Sequence, residues 1–314
     1  MEKLVRKRIV TVGKIFIGIG LIIFLTFYVK PEKIYLTFIR ADKGWLIVTV
    51  LLLPLNLFLQ FLKWKLLSDE YFGINNNKAT LLSLFYGISG GIFTPMKSGE
   101  YFARALPYPK VKMLDVILAT VVDKLVPVLF VLLIGGMFFI IYLKSLFELS
   151  VFATVLFIVA YKIILLLILF LLLGNGKFSA KLKTQLKTKK YFARIFERVS
   201  FLKKISPEIF GKIIIISFLY HLTFTLQMSF LLIAYSGVFN LPLFFFAANL
   251  IIFAQIVIPP VAFGEIGVRE GTAVYLLQNF GFSAAVGFNA AISLFAINLL
   301  FPSVVGLVLL LKRG

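Results

Sequence analysis

Long apolar segments separated by short basic gaps dominate this chain. The apolar segments lack the alternation of inward and outward residues that a membrane β-strand requires. Several of them are long enough to cross the ~30 Å hydrocarbon core of a bilayer as helices. The pattern predicts an all-α polytopic membrane protein with six spanning helices, at roughly 12–29, 44–62, 115–143, 147–173, 212–237 and 283–311.

Two further apolar stretches are interrupted. The first occupies 79–110 and breaks at SGGIFTPMKSG, and the second occupies 243–281 and breaks at PPVAFGEIG. Proline followed by a glycine-rich polar step ends a helix, because proline removes a backbone donor and pushes the preceding residue out of the helical region. The pieces that resume after the breaks are too short to span a bilayer. We therefore expect two re-entrant helical hairpins.

The Lys and Arg residues in the gaps set the orientation. The segment 174–212 carries eleven of them, which predicts that this segment lies on the cytoplasmic side of the plasma (inner) membrane. Six spans then place both termini in the cytoplasm, although the basic loop 30–43 falls outside. In this topology the hairpin 79–110 enters from the cytoplasmic side and the hairpin 243–281 enters from the outer side.

The two hairpins share one spacing. Pro, four residues, Glu, three residues and Arg occur twice, 165 residues apart, as Pro95, Glu100 and Arg104 and again as Pro260, Glu265 and Arg269. The match indicates an inverted repeat of two membrane halves, residues 1–146 with the first hairpin and 147–314 with the second hairpin and the basic cytoplasmic loop 174–211. Such paired interrupted segments point to a transporter binding site. A chance match is the alternative, since Glu with Arg four residues later is a common helix pair.

The composition agrees with a lipid environment: 61% of the residues are hydrophobic, and the net charge is +20. A nucleic-acid reader needs its basic residues on one folded surface, whereas here they lie between apolar runs and face anionic lipid. The chain has no Cys and one His, which excludes thiolate and histidine metal sites. We expect no cofactor, no metal and no nucleic-acid partner.

Charged residues inside the apolar segments are the candidate substrate-binding residues. Burying an ion in hydrocarbon costs at least ~3 kcal/mol, so such residues form ion pairs or have a functional role. An arginine fork suits phosphate oxygens, and an acid can neutralise that arginine when the site is empty. Mutual structural pairing is the alternative for both arginines. The candidates are Glu100, Arg104, Asp123, Lys124, Glu265, Arg269 and Glu270.

Uncharged polar residues in the spans either line an aqueous path or form hydrogen bonds between helices. These residues are His221, Gln227, Asn249, Gln255, Asn289 and Asn298. In the basic loop, apolar residues recur every three or four positions over 178–202. That pattern is typical of a helix on the cytoplasmic leaflet, with a solvated loop as the alternative.

The sequence also resembles a known family. GEIGVREG at 264–271 is similar to the G-x-G-V-R-E-G signature of flippase-like membrane proteins, which include the transmembrane region of lysylphosphatidylglycerol synthases. TPMKSGEYFARA resembles that family's P-x-R-x-G-E-x-x-R segment. LATVVDKLVPVL takes the place of an E-R-x-x-D helix, but Pro127 stands where the last Asp would be, and Glu265 stands where glycine is common. The resemblance covers nearly the whole chain and implies lipid translocation without synthase activity.

These observations lead to one interpretation with two alternatives. The interpretation is a non-enzymatic lipid flippase that moves a phospholipid or lipid-linked anionic substrate between leaflets, with membrane phospholipids as partners. One alternative is an ion-coupled transporter of a small anion. The other is a non-transporting membrane partner of a lipid-modifying enzyme, with homo-oligomers also possible.

Overall fold

The computed structural model describes residues 20–92, 94, 97–173, 206–258 and 267–312. Within these ranges the chain forms helices joined by turns, and no strand occurs. The all-α prediction is confirmed. The helices are α1 (Gly20–Val29), α2 (Pro31–Ile39), α3 (Lys43–Phe72), α4 (Asn77–Ile92), α5 (Ser98–Ala103), α6 (Met113–Phe147), α7 (Val151–Leu173), α8 (Pro207–Ser236), α9 (Leu241–Val257), α10 (Val268–Asn279) and α11 (Ala284–Leu311).

Several predicted features lie outside the described residues. They are the prolines and the acid at the hairpin breaks (Pro95, Pro260 and Glu265) and the proposed surface helix over 178–202.

Four helices of the described part are long and apolar enough to cross a membrane: α3, α6, α8 and α11. Shorter apolar helices accompany them, including α1 and α9. The chain is therefore a multi-pass α-helical membrane protein. The predicted boundaries were least accurate for α3, which continues ten residues beyond 62 and ends at Phe72, before Gly73 in the left-handed conformation.

The central helices α3 and α8 are both 30 residues long and pack along each other. Buried amides connect them. Asn56 Nδ2 donates to Gln227 Oε1 at 3.1 Å, and Gln227 Nε2 donates to the Thr49 carbonyl at 3.2 Å. Interhelical hydrogen bonds of this kind hold helices together where lipid gives no hydrophobic driving force.

Two π-helical turns interrupt long helices at matching places. Val131–Gly135 lies in α6 and Ala296–Leu300 lies in α11, so the two turns are 165 residues apart. From each π-turn onward, the long helix packs against a helix that is distant in the sequence: α9 packs on α6, and α4 packs on α11. π-turns are rare and often occur at functional sites.

Helices α4 and α5 form a tight hairpin at the first predicted break. A Cβ at Gly99 would overlap the carbonyl oxygen of Gly90, so only glycine permits this backbone approach. Thr94 closes the turn, since its Oγ1 donates to the Gly90 carbonyl at 2.8 Å and accepts from Gly99 N–H at 2.7 Å. This hairpin carries Glu100 and Arg104 toward α6.

Candidate functional site

A cavity of about 300 Å³ lies among α3, α4, α5, α6, α8, α9 and α11. Its lining is partly charged and partly uncharged. The polar side chains around it come from distant parts of the sequence and are Asn56, Gln60, Lys63, Lys97, Glu100, Tyr101, Lys124, Tyr220, His221, Gln255 and Asn298. A membrane protein that holds this many polar groups inside its helices has a strong candidate binding site there.

The hairpin and α6 meet through a buried ion cluster. Arg104 Nη2 lies 2.7 Å from Glu100 Oε1 and 3.0 Å from Asp123 Oδ2. The three residues are at most 4% exposed. One guanidinium therefore bridges two carboxylates that are brought together from different helices.

Two lysines complete the cluster. Lys124 Nζ lies 2.7 Å from Glu100 Oε1 and keeps 39% of its side chain exposed. Lys63, from α3, donates to the Asp123 backbone carbonyl at 2.8 Å, and its Nζ lies 3.2 Å from Asp123 Oδ1 as an ion pair without hydrogen-bond geometry. Lys63, Glu100 and Lys124 line the cavity, whereas Arg104 and Asp123 support them from behind.

The local sequence creates the space for Arg104. A Cβ at Gly87 would come within 2.6 Å of the Arg104 Cγ, so glycine there leaves room for the side chain. The guanidinium lies over the Trp64 ring at 4.4 Å from its centroid, a cation–π contact. Ser83 on α4 then links Trp64 to Arg104, because its hydroxyl accepts a hydrogen bond from Trp64 Nε1 at 3.0 Å and donates one to the Arg104 carbonyl at 2.8 Å.

The charges around the cavity do not balance. Among the described residues, the ion cluster holds three cationic groups and two carboxylates, one positive charge more than negative. The cations are Lys63, Arg104 and Lys124, and the acids are Glu100 and Asp123. Lys97 has a φ of 52°, in the left-handed region that is unusual for a non-glycine residue. An excess of positive charge in a low-dielectric interior favours binding of an anion.

The helices of the second half contribute uncharged polar groups to the same cavity. Asn298 lies in the π-turn of α11 and is 6% exposed, and neither its Oδ1 nor its Nδ2 has a hydrogen-bond partner in the described structure. His221 Nε2 on α8 is likewise buried without a partner. Buried polar atoms normally find partners, and both residues line the cavity, so these atoms are available to a ligand or to water that enters it.

The second predicted arginine occupies a separate place. Arg269 Nη2 and Nε lie 2.6 and 3.2 Å from Glu270 Oε1, and both residues are fully buried. Glu270 Oε2 also accepts from Gly267 N–H at 2.6 Å and thereby caps the start of α10. Neither residue is among those that line the cavity. Arg269 Nη1 has no hydrogen-bond partner in the described structure.

Of the predicted site residues, the structure brings Glu100, Arg104, Asp123 and Lys124 into one cluster, and it pairs Arg269 with Glu270 elsewhere. The sequence interpretation overlooked Lys63, because the predicted span stopped at residue 62. Three of the uncharged polar candidates, His221, Gln255 and Asn298, line the cavity. The others bond to helices: Gln227 to Asn56, Asn249 to the Phe245 carbonyl and Asn289 to the Ile34 carbonyl.

The helices and this cavity define a multi-pass α-helical membrane protein with a polar chamber among its spans. The sequence model of the lysylphosphatidylglycerol synthase TM region matches residues 12–306, nearly the whole chain. The chain belongs to that family, which confirms the resemblance seen in the sequence and places it among membrane proteins of lipid-related processes. A comparison with curated proteins gave no significant match.

Proposed function

We propose that this protein moves a phospholipid or another lipid-linked anionic compound between the leaflets of the plasma membrane. The headgroup occupies the cavity, and the acyl chains stay in the bilayer. The protein acts as a translocator, not as an enzyme.

The observation that carries the proposal is the excess of positive charge in a cavity among membrane helices. Lys63 and Lys124 line the cavity together with Glu100, the single lining carboxylate among the described residues. A phosphate that enters this chamber gains ammonium partners, and hydrogen bonds between charged groups of this kind are stronger than neutral ones. Such a site offers a headgroup a polar route through a layer where its charge is otherwise very costly.

The helices around the cavity suit a lipid substrate. α3, α6, α8 and α11 are the long apolar helices of the described chain, and their outer faces carry exposed apolar residues such as Leu51, Leu300 and Phe301. Acyl chains can therefore remain against the outside of the bundle while the headgroup lies between the helices. Membership of a family concerned with lipids adds weight to a lipid substrate over a soluble one.

The architecture that we propose has six spanning helices and two re-entrant hairpins in an inverted repeat, with both termini in the cytoplasm. The halves are 1–146 and 147–314. The π-turns at Val131–Gly135 and Ala296–Leu300 support this repeat, because their offset of 165 equals that of the Glu100 and Glu265 motifs. The helix packing has the same symmetry, because α4 of the first half packs on α11 of the second half, and α9 of the second half packs on α6 of the first. Inverted repeats of this kind place a substrate site between the halves.

A small soluble anion is the second candidate substrate, since the same charge excess attracts it. The two functions differ in what crosses the membrane. A small-anion transporter empties anion-loaded liposomes and leaves lipid asymmetry intact.

The test is reconstitution into liposomes with acyl-labelled fluorescent phosphatidylglycerol, followed by quenching from one side. We expect translocation above protein-free vesicles, and a strong reduction in a Lys97→Gln, Lys124→Gln variant. Lys144→Gln is the matched control, because Lys144 lies on α6 but does not line the cavity. No translocation by the wild-type protein, or equal rates in the double variant, would overturn the proposal.

A further inference from the structure

We infer that the cavity selects a phospholipid whose phosphate carries an uncharged, hydroxylated group such as glycerol or a sugar, over lipids with an amine in the headgroup. This inference rests on the proposed function and names the substrate class for the same site. The juxtaposition of a cationic cluster with unpaired neutral polar groups leads to it.

The lining of the cavity has two kinds of surface. The cationic part comes from α3, from the α4–α5 hairpin and from α6, as described above. The part from α8, α9 and α11 contributes His221, Gln255 and Asn298, and no charged residue of these helices lines the cavity in the described structure. A headgroup that satisfies both surfaces has a charged end and a neutral polar end.

The unpaired atoms specify the neutral end. Asn298 offers one acceptor and an amide donor, and His221 Nε2 offers one further position, all without partners among the described residues. A hydroxyl group both donates and accepts, so a glycerol or a sugar matches an amide on each of its atoms. An ammonium group only donates and leaves the Asn298 Nδ2 donor unsatisfied.

The charge distribution disfavours an amine independently. The two carboxylates of the cluster are already engaged: Glu100 pairs with Arg104 and Lys124, and Asp123 pairs with Arg104 and Lys63. An ammonium group in this cavity meets an excess of positive charge and no unpaired acid of the cluster. Ethanolamine and aminoacylated headgroups are therefore poorer ligands than glycerol.

The experiment compares four lipids on the purified full-length protein, first by lipid-dependent thermal stabilisation and then by translocation in liposomes. The probes are phosphatidylglycerol, phosphatidic acid, phosphatidylethanolamine and lysyl-phosphatidylglycerol. We expect phosphatidylglycerol to bind and cross best, with phosphatidylethanolamine and the lysyl lipid at least about tenfold weaker, the size expected for a lost hydrogen bond plus a like-charge contact.

Variants separate the two ends of the headgroup. Asn298→Leu should lower the ratio of phosphatidylglycerol to phosphatidic acid binding about tenfold, because phosphatidic acid lacks the glycerol that Asn298 contacts. Lys124→Gln should weaken both lipids together and leave that ratio near the wild-type value. Asn279→Leu makes the same substitution away from the cavity, where Asn279 bonds Tyr142, and should keep the wild-type ratio.

The outcomes distinguish this inference from the proposed function. Translocation of the lysyl lipid or of phosphatidylethanolamine at the rate of phosphatidylglycerol overturns the inference and leaves the translocator function standing. An unchanged ratio in Asn298→Leu also overturns the inference. Selective binding of phosphatidylglycerol without any translocation supports the inference on selectivity and overturns the translocator function.

Discussion

Arg104 Nη2 lies 3.0 Å from Asp123 Oδ2 and joins the short hairpin helix α5 to the spanning helix α6. Both residues are buried, and the same Nη2 also contacts Glu100. Arg104 thus holds the wall of the cavity together, while Lys124 and Lys63 face its interior. This division of roles separates the predicted effects of the individual substitutions.

Loss of one member of the buried cluster should destabilise the fold strongly. Asp123→Asn removes the carboxylate charge that pairs with Arg104 and Lys63. We expect the free energy of unfolding in detergent to fall by roughly 3–5 kcal/mol. Lys65→Gln, which breaks a partly exposed pair with Asp69, should cost under about 1 kcal/mol.

A double-mutant cycle sharpens this prediction. Arg104→Gln combined with Asp123→Asn should cost less than the sum of the two single changes, because the second change removes the charge that the first left unpaired. Strict additivity of the two changes would mean that the pair does not interact in the membrane-extracted protein.

The glycine contact of the α4–α5 hairpin predicts that two alanine substitutions have different effects on stability. Gly99→Ala should destabilise the protein and reduce lipid translocation, because its Cβ collides with the Gly90 carbonyl and opens the hairpin. Gly271→Ala, in α10 with no atom near its Cβ, should be neutral or stabilise by about 0.5–1 kcal/mol. Thermal unfolding of both variants checks this, and equal effects would refute the close contact.

The pair of Arg269 and Glu270 predicts a structural role for Arg269. Glu270→Gln should destabilise the start of α10, since it leaves a fully buried guanidinium without its acid. Arg269→Gln added to it should restore part of the lost stability and retain translocation. Restored stability with lost translocation would instead make Arg269 a headgroup ligand, the role that the sequence interpretation gave it.

The proposed inverted repeat predicts accessibility from opposite sides. The chain has no Cys, so single cysteines can be introduced without background. Lys78→Cys and Lys110→Cys flank the first hairpin and should react only after the cytoplasmic side is opened. Phe239→Cys and Gln278→Cys flank the second and should react in intact cells. Reaction of all four from one side would exclude the inverted arrangement.

The sequence was sufficient for the helical membrane class and for four of the five members of the ion cluster, because long apolar runs and charges within them are local signals. Lys63 was missed because the apolar run ends at residue 62, whereas α3 continues to Phe72. The polar last turns of this helix pack inside the protein, and the apolar run gives no sign of them. The cavity itself depends on how seven helices pack, and the pairing of Arg104 with Asp123 joins residues on different elements. No sequence period reports such contacts.

The uncharged lining illustrates the same limit. His221, Gln255 and Asn298 were expected either to line a path or to bond between helices, and the sequence did not distinguish them from Gln227, Asn249 and Asn289. Their outcome depends on which face of each helix meets the cavity. The π-turn that contains Asn298 has no signal in the composition of Ala296–Leu300.

The most direct measurement is cross-linking of phosphatidylglycerol that carries a photoreactive group on its headgroup, in membranes, followed by peptide mapping. We predict labelling of the peptides that contain Tyr101 and Lys124, with less label there in the Lys97→Gln, Lys124→Gln variant. Label confined to the lipid-facing residues of α7, at the same level in both proteins, would contradict a headgroup site inside the cavity.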